Sequence, residues 1–492
     1  MMDANVSSIV YNTQPYEHQI DALNRAWLKP AFAYFLEMGT GKSKIIIDEI
    51  INLVEKQEIN CAIILAPNNV HINWKGEFIK HWPNYNKIAI QIWRSGLSEI
   101  ARGKFENETR TIINSNKTLI FLMNIEALST KSGQEYLRRI LLARRMAYVA
   151  IDESHKIKNP AAIRTKAAIW LGGLAKYKRL ATGTEAEEGL ENLFSQFRFL
   201  NPNIVGSRSY TAFKSMYCIM GGYENREIKG YQNEEMLAAK IAPYIYSKRK
   251  KDCLDLPDKV YVTHEIGLTA EQHRICTQLE EELIYELSNG QIVDATLALT
   301  RMVRIQQVLC GHINAPPNES ESTRYAEVIP SHRADYVAEL IENANSKVIV
   351  FCRFIKDVEL IISACAKRDL SGIGISSLVE GSRRLDEINR WRRDPSLKVL
   401  AITTSTGGTG LTLNEAKTTI FYSNSWSSTD RIQAEDRNHR IGQESKVTYH
   451  DIIVRNKIDH RLLLALKNKQ TSANWFRSIV DIQRFMTESI DE

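Results

Sequence analysis

Short apolar runs bounded by charge or proline recur through the first half of the chain, at residues 62–66, 118–123, 146–151 and 177–181, with amphipathic helical stretches between them. Runs this short, apolar at nearly every position, read as strands covered on both faces, which is the situation of a parallel sheet with helices on each side. The pattern fades between residues 201 and 345 and then returns at residues 348–352, 399–402, 419–422 and 447–454. A chain of 492 residues is too long for one hydrophobic core, so an α/β pattern that occurs twice predicts two lobes, each a mostly parallel sheet flanked by helices. Between them, residues 269–288 and 292–309 read as helices and residues 316–320 (PPNES) as a surface loop. The expected division is residues 1–240 for the first lobe, 241–330 for a helical inter-lobe region and 331–492 for the second lobe.

Composition narrows the class only slightly. Hydrophobic residues at 43% and charged residues at 25% are those of an ordinary globular chain, which excludes a low-complexity scaffold. Lysine and arginine exceed aspartate and glutamate by 64 to 58, a net charge of +6 that permits an anionic partner without demonstrating one. The seven cysteines are an odd number and form no CxxC pair, which argues against a disulfide framework or a zinc ribbon and fits a reducing compartment. No stretch reaches the roughly 18 uninterrupted apolar residues of a membrane span, and residues 1–19 lack a basic region followed by an apolar core. The expectation is a chain that is soluble and not secreted.

Residues 37–43 (EMGTGKS) follow the apolar segment 31–36 and open the helical stretch 44–51. Strand, glycine turn and helix is the geometry that cradles phosphate. Gly39 and Gly41 let the backbone curl around Thr40 so that N–H groups point inward, and the helix N-terminus adds partial positive charge. Lys42 can bridge the outer phosphates and the Ser43 hydroxyl can ligate Mg²⁺. The full GxxxxGK[ST] pattern is not met, because Leu36 stands at its first glycine, so by itself the segment also fits a plain glycine turn before a helix. Farther on, the apolar run 146–151 ends in Asp152 and Glu153. Asp152 can hold Mg²⁺ and Glu153 can orient an attacking water, which is most of what phosphoryl transfer asks of a protein. A solvated acidic turn is the plainer reading of the same two residues.

Taken together and in order from Tyr16 to about Leu464, the motifs resemble the Swi/Snf-type branch of helicase superfamily 2, the chromatin-remodeller-like ATPases. Residues 15–19 (PYEHQ) look like the family's adenine-reading segment, with Gln19 offering donor and acceptor to the base. Residues 66–78 are similar to its P-x-x-x-x-x-N-W-x-x-E-F segment, through Pro67, Asn73 and Trp74, with Lys75 following. Residues 152–159 (DESHKIKN) look like its DExH-x-x-K-N box. Residues 180–185 resemble its T-G-T-P motif, with Glu185 where the family has proline; either the acids at 185, 187, 188 and 191 favour a helix start there, or this loop couples nucleotide state to DNA differently. In the second half, residues 433–443 (QAEDRNHRIGQ) look like the Q-x-x-D-R-x-H-R-I-G-Q motif, and residues 405–413 (STGGTGLTL) are similar to the segment that precedes it. Trp426 stands in a W-S-S where the family has W-N-P, and Lys417 where it has an acid, which suits a divergent, minimal bacterial or phage member.

The resemblance implies two RecA-like lobes, ATP as substrate and Mg²⁺ as cofactor. It implies that Arg437 and Arg440 reach the γ-phosphate from the second lobe as arginine fingers, with Gly410 and Gln433 also at the nucleotide. It implies DNA as the track, duplex or branched, contacted by Pro67, Asn73, Trp74, Lys75, Ser405, Thr406 and Trp426. The basic stretches 248–251 and 383–393 are further candidates for backbone phosphate. The implied protein is a monomeric, DNA-dependent ATPase that translocates on duplex without sequence preference. It would be cytoplasmic and nucleoid-associated, or in the host cytoplasm if viral. Three other readings stay open at this point: a fork-remodelling or strand-annealing helicase, the motor subunit of a restriction or defence complex, and a DNA-binding scaffold without turnover. A P-loop kinase would account for Lys42 and Asp152 but not for a second α/β lobe carrying Arg437 and Arg440.

Overall fold

Apolar runs too short for a buried helix, separated by amphipathic ones, leave a parallel sheet as the economical way to satisfy every backbone group. The computed structural model has two such sheets; it describes residues 11–68, 70–183, 189–222, 227–288, 295–314, 326–379, 381–407 and 411–467. The chain divides into two compact units, Met1–Asp255 and Leu256–Glu492.

In the first unit the sheet strands are β1 (Ala31–Leu36), β2 (Cys61–Ala66), β3 (Ile88–Ile92), β4 (Thr118–Asn124), β5 (Ala147–Asp152) and β6 (Tyr177–Thr182). A separate antiparallel hairpin is formed by β7 (Cys218–Gly221) and β8 (Glu227–Tyr231), and β9 (Ile245–Lys248) returns to the sheet. The sheet order is β3-β4-β2-β5-β6-β1-β9, parallel throughout. Along β1 the side chains alternate between two cores: Ala31, Ala33 and Phe35 enter one, and Phe32, Tyr34 and Leu36 the other. Both faces being covered is why the run is apolar at every position.

The helix that follows β1 is held from beneath by a buried ion pair. Three helices position the site: α1 (Glu17–Ala26), α2 (Lys42–Glu55) and α3 (Val70–His81). Glu49 of α2 and Arg179 of β6 are each no more than 1% exposed and form a bidentate pair. Tyr34 and Tyr148 donate their hydroxyls to Glu49 Oε2 at 2.9 and 2.8 Å. Burial, then the Glu49 carboxylate, raises both phenols well above their ordinary range. Because removing one partner strands the other charge, Arg179→Met is expected to cost about 3–5 kcal/mol. Urea unfolding would show it, and Glu49→Gln with Arg179→Met should recover much of the loss, since the amide still accepts from both tyrosines. A single variant as stable as the wild type would refute this account of α2's anchorage.

In the second unit the strands are β10 (Lys259–Glu265), a small hairpin β11 (His312–Asn314) and β12 (Ala326–Val328), then β13 (Lys347–Cys352), β14 (Ser371–Ile375), β15 (Leu397–Thr403), β16 (Ala416–Phe421) and β17 (Val447–Ile453). The sheet order is β10-β17-β16-β13-β15-β14, again parallel. Each unit is a RecA-like α/β lobe.

The expected inter-lobe region 241–330 is not a separate body. Its first part supplies β9 to the first sheet and its next part supplies β10 to the second. Its helices, Ala270–Ser288 and Ala295–Leu309, share one apolar cluster with Ile458–Lys467 at the end of the second unit. An amphipathic helix must bury its stripe somewhere, and these two bury theirs in the second lobe. All seven cysteines are free. No helix among the described residues is long and apolar enough to cross a membrane.

Candidate active site

Parallel strands bring their carboxyl ends to one edge, and in the first unit that edge collects Leu36, Ala66, Asp152, Thr182 and Lys248. The phosphate-loop strand β1 and the acidic strand β5 both border β6, so Lys42, at the start of the helix after β1, and Asp152, at the end of β5, belong to strands with a single strand between them.

In the loop after β1, Gly39 and Gly41 have φ of +81° and +87°, which side chains disfavour, and Gly41 caps α2. Lys42 donates to the carbonyls of Leu36 and Glu37 at 2.8 and 3.2 Å, and half-buried Ser43 sits in the first turn of α2. Thr40 is fully buried; its hydroxyl donates to Glu37 O at 2.8 Å. The loop is braced from α1, where His18 Nε2 and Gln19 Nε2 donate to Thr40 O at 2.9 and 3.1 Å. Gln19 Oε1 accepts from Tyr16 N–H at 3.0 Å and the residue is only 1% exposed, so its amide is spent on bracing the loop. On the far side lies Gly183, where a Cβ would sit 2.7 Å from Met38 Cγ and 3.4 Å from Lys42 Nζ. That glycine keeps open the space around the lysine head.

Asp152 is 9% exposed. Its Oδ1 accepts from Glu153 N–H at 3.0 Å and its Oδ2 from the Trp74 indole at 3.1 Å. Burial, then the neighbouring Glu153 charge, pushes Asp152 up to about 6, against the pull of Lys42 and the two donors. Glu153 sits at φ +52°, a left-handed conformation for a residue with a side chain, and its Oε2 lies 3.4 Å from His155 Nδ1. Ser154, fully buried, donates to Gln196 Oε1 at 2.5 Å and so holds the turn that carries both acids.

Beside α1 a cavity of about 690 Å³ is lined by Tyr16, His18, Tyr246, Lys248 and Lys251 among others, a size suited to a small ligand. Two contacts join it to the phosphate loop: Glu37 N–H donates to Lys248 O at 3.4 Å, and Lys250 N–H to Glu37 Oε2 at 2.8 Å. The basic stretch expected to meet a polynucleotide thus faces this cavity through Lys248 and Lys251, while Arg249 pairs with Asp252 at 3.0 Å and Lys250 is buried.

In the second unit, Arg437 (7% exposed) and half-buried Arg440 both direct Nη1 at the Leu411 carbonyl, 3.4 Å from each. Leu411 follows the stretch that contains exposed Ser405 and buried Thr406; Gly410, like Glu185 in the first unit, lies outside the described residues. Half-buried Gln433 lies on the helix Ser428–Glu435. That helix is fixed by Glu435, which accepts from Lys259 Nζ at 2.8 Å, Tyr261 at 2.7 Å and Arg431 at 2.8 Å.

Two residues expected at the track lie inside the fold: Trp74, and Trp426, whose motif fits either a conformational or a DNA-contacting residue. Trp426 is buried in the second unit's helical cluster with Nε1 donating to Gln306 at 3.1 Å, and Trp74 is 2% exposed with its indole on Asp152. Both rings are buried and each indole N–H is on an internal acceptor. Pro67 and Asn73 are half-buried, and Lys75 is exposed. In the second basic stretch, Arg384 is buried against Val379 O and Arg392 is engaged by Glu415 and Thr412, leaving Arg383, Arg390 and Arg393 as its exposed arginines. Sequence reading missed the bracing roles of His18 and Gly183 and the indole bond to Asp152. The only signal for them was adjacency to the recognised motifs.

A phosphate loop and an acid pair on one RecA-like lobe, with paired arginines on a second, are the motif set of helicase superfamily 2. Residues 35–315 match the SNF2-related domain and residues 332–442 the helicase conserved C-terminal domain, and the chain belongs to the SNF2 family. It is 25% identical over 458 residues to an uncharacterized ATP-dependent helicase of Mycoplasma genitalium, covering 90% of this chain and 40% of the relative. It is 26% identical over 442 residues to the ISWI chromatin-remodeling complex ATPase ISW2 of Saccharomyces cerevisiae, covering 87% of this chain and 37% of the relative. This chain thus spans well under two thirds of the length of these relatives. Among solved structures, the SWI2/SNF2 ATPase core of Sulfolobus solfataricus in complex with dsDNA is similar over 97% of this chain and 96% of that one, at 22% identity and a TM-score of 0.41.

Proposed function

We propose that the chain hydrolyses ATP in a DNA-dependent manner and uses the cycle to move along the backbone of duplex DNA. The observation that carries the reading is the carboxyl edge of the first sheet, where the Gly39–Gly41 turn, Lys42, Asp152, Glu153 and the cleared space at Gly183 meet. These residues fit a triphosphate: backbone N–H groups of the turn and the start of α2 for the phosphates, Lys42 for their charge, the cavity beside Tyr16 for the base. Ser43 and Asp152 would hold Mg²⁺, which when bound neutralises charge on the phosphate oxygens. Glu153, held in its strained turn, orients the attacking water and accepts its proton. Arg437 and Arg440 stabilise charge on the transferred group.

DNA as the track rests on family membership and on exposed Lys75 beside the second strand's end. Backbone-only contact predicts turnover stimulated by duplex of any sequence, with a stimulation that weakens steeply as salt rises. Phosphate release measured without nucleic acid and with single-stranded DNA, duplex, fork and RNA tests it. No stimulation by any DNA would remove the translocase reading. Displacement of a triplex strand without unwinding of a fork is the expected pattern; fork unwinding alone would favour a true helicase.

A further inference from the structure

Trp74 joins two parts of the molecule that the proposed function keeps apart. The carboxylate of Asp152 is held by two donors, and of these only the Trp74 indole, at 3.1 Å, comes from another element. Trp74 begins an aromatic ladder along the buried side of α3, with Phe78 and then Trp82 at centroid separations of 6.1 and 6.2 Å. The other side of the same helix carries exposed Lys75, Ile79 and Lys80, and around Gly76 there is open space. A close-packed ladder transmits a displacement instead of absorbing it. A force on Lys75 therefore reaches the indole one residue away, and through it the carboxylate, whose terminal torsion is soft.

We propose that Trp74 is a positioning residue that couples phosphodiester contact on the outer side of α3 to the orientation of the Asp152 carboxylate. The polynucleotide partner is taken from the function proposed above, and the coupling is the added claim. It requires that the Asp152 orientation differ between the contacted and uncontacted states of α3, and that the free-energy difference be shared by both sites.

Trp74→Phe removes the indole N–H and keeps a ring against Phe78. The ratio of duplex-stimulated to unstimulated turnover is expected to fall by about tenfold, the scale of an ordinary coupling energy. Affinity for a fluorescent duplex, read by anisotropy, should stay close to that of the wild type. Subtracting the variant's tryptophan emission from the wild type's isolates the Trp74 indole, whose signal should shift when duplex is added without nucleotide. Lys75→Ala, on the exposed side and so harmless to the core, should abolish the duplex-induced change in total tryptophan emission that the wild type shows; this comparison needs no Trp74 variant, and a Lys75→Ala protein that keeps the wild-type change overturns the coupling. A variant that keeps the wild-type ratio, or an indole signal indifferent to duplex, overturns the coupling. Wild-type turnover that ignores every DNA overturns the function and the coupling together, whereas a stimulated wild type with an equally stimulated variant overturns the coupling alone.

Discussion

Arg440→Ala is expected to slow ATP turnover by about 10³- to 10⁵-fold, the range in which an arginine finger contributes. Nucleotide affinity should change far less, because the interaction belongs to the transition state more than to the bound substrate. The local structure supports the assignment. Arg437 and Arg440 share the Leu411 carbonyl, and Asn438 between them is fully buried, donating to Thr419 at 2.7 Å and accepting from Tyr449 at 3.0 Å. Gln443 Nε2 closes the turn by donating to Asn438 O at 3.0 Å. The backbone that presents the two guanidinium groups is therefore fixed while Arg440 itself stays half-buried at the surface. Arg440→Lys should recover little, since an ammonium is a point charge without the planar fork. Steady-state phosphate release with saturating ATP reads the effect, and a melting curve guards against loss of fold. Turnover within about tenfold of wild type, where fingers give about 10³ or more, would end the finger assignment.

The strands were the easiest part of this fold to see beforehand, for a physical reason. Central strands such as β2, β5, β13 and β15 are covered on both faces, so nothing polar interrupts them and the run announces itself. Edge strands β3, β9, β10 and β14 are only partly buried, and polar, charged or glycine residues break their apolar runs. Missing β9 and β10 is what made residues 241–330 look like an independent region. Their strand character depends on the neighbouring strands, β1 and β17, which a local window does not contain.

Site residues divided along a similar line. Backbone geometry that glycine alone tolerates, and acids at a strand end, are local and were legible as Gly39, Gly41, Asp152 and Glu153. Side-chain partners far apart in sequence were not. Trp74 and Asp152 are brought together by β2 and β5 lying side by side, and His18 meets Thr40 because α1 packs on α2. A tryptophan in a family motif invites a role at the DNA. A buried carboxylate that needs a donor gives it a different one.

Glu153→Gln and Lys42→Ala are expected to fail in opposite ways. Glutamine at 153 preserves volume and the backbone N–H that Asp152 Oδ1 accepts, but it cannot take a proton, so turnover should fall by about 10²- to 10⁴-fold while ATP still binds. Its strained φ of +52° is set by the turn and by buried Ser154 on Gln196, neither of which the substitution touches. Alanine at 42 removes the ammonium that lies against Leu36 O and Glu37 O and beside the space kept open at Gly183, so binding itself should be lost. Titration with a fluorescent ATP analogue, alongside phosphate release, separates the two. Glu153→Gln with normal turnover would end its role as base. Lys42→Ala with normal binding would return the Gly39–Gly41 segment to a plain turn before a helix, and the site would have to be sought elsewhere on the sheet edge.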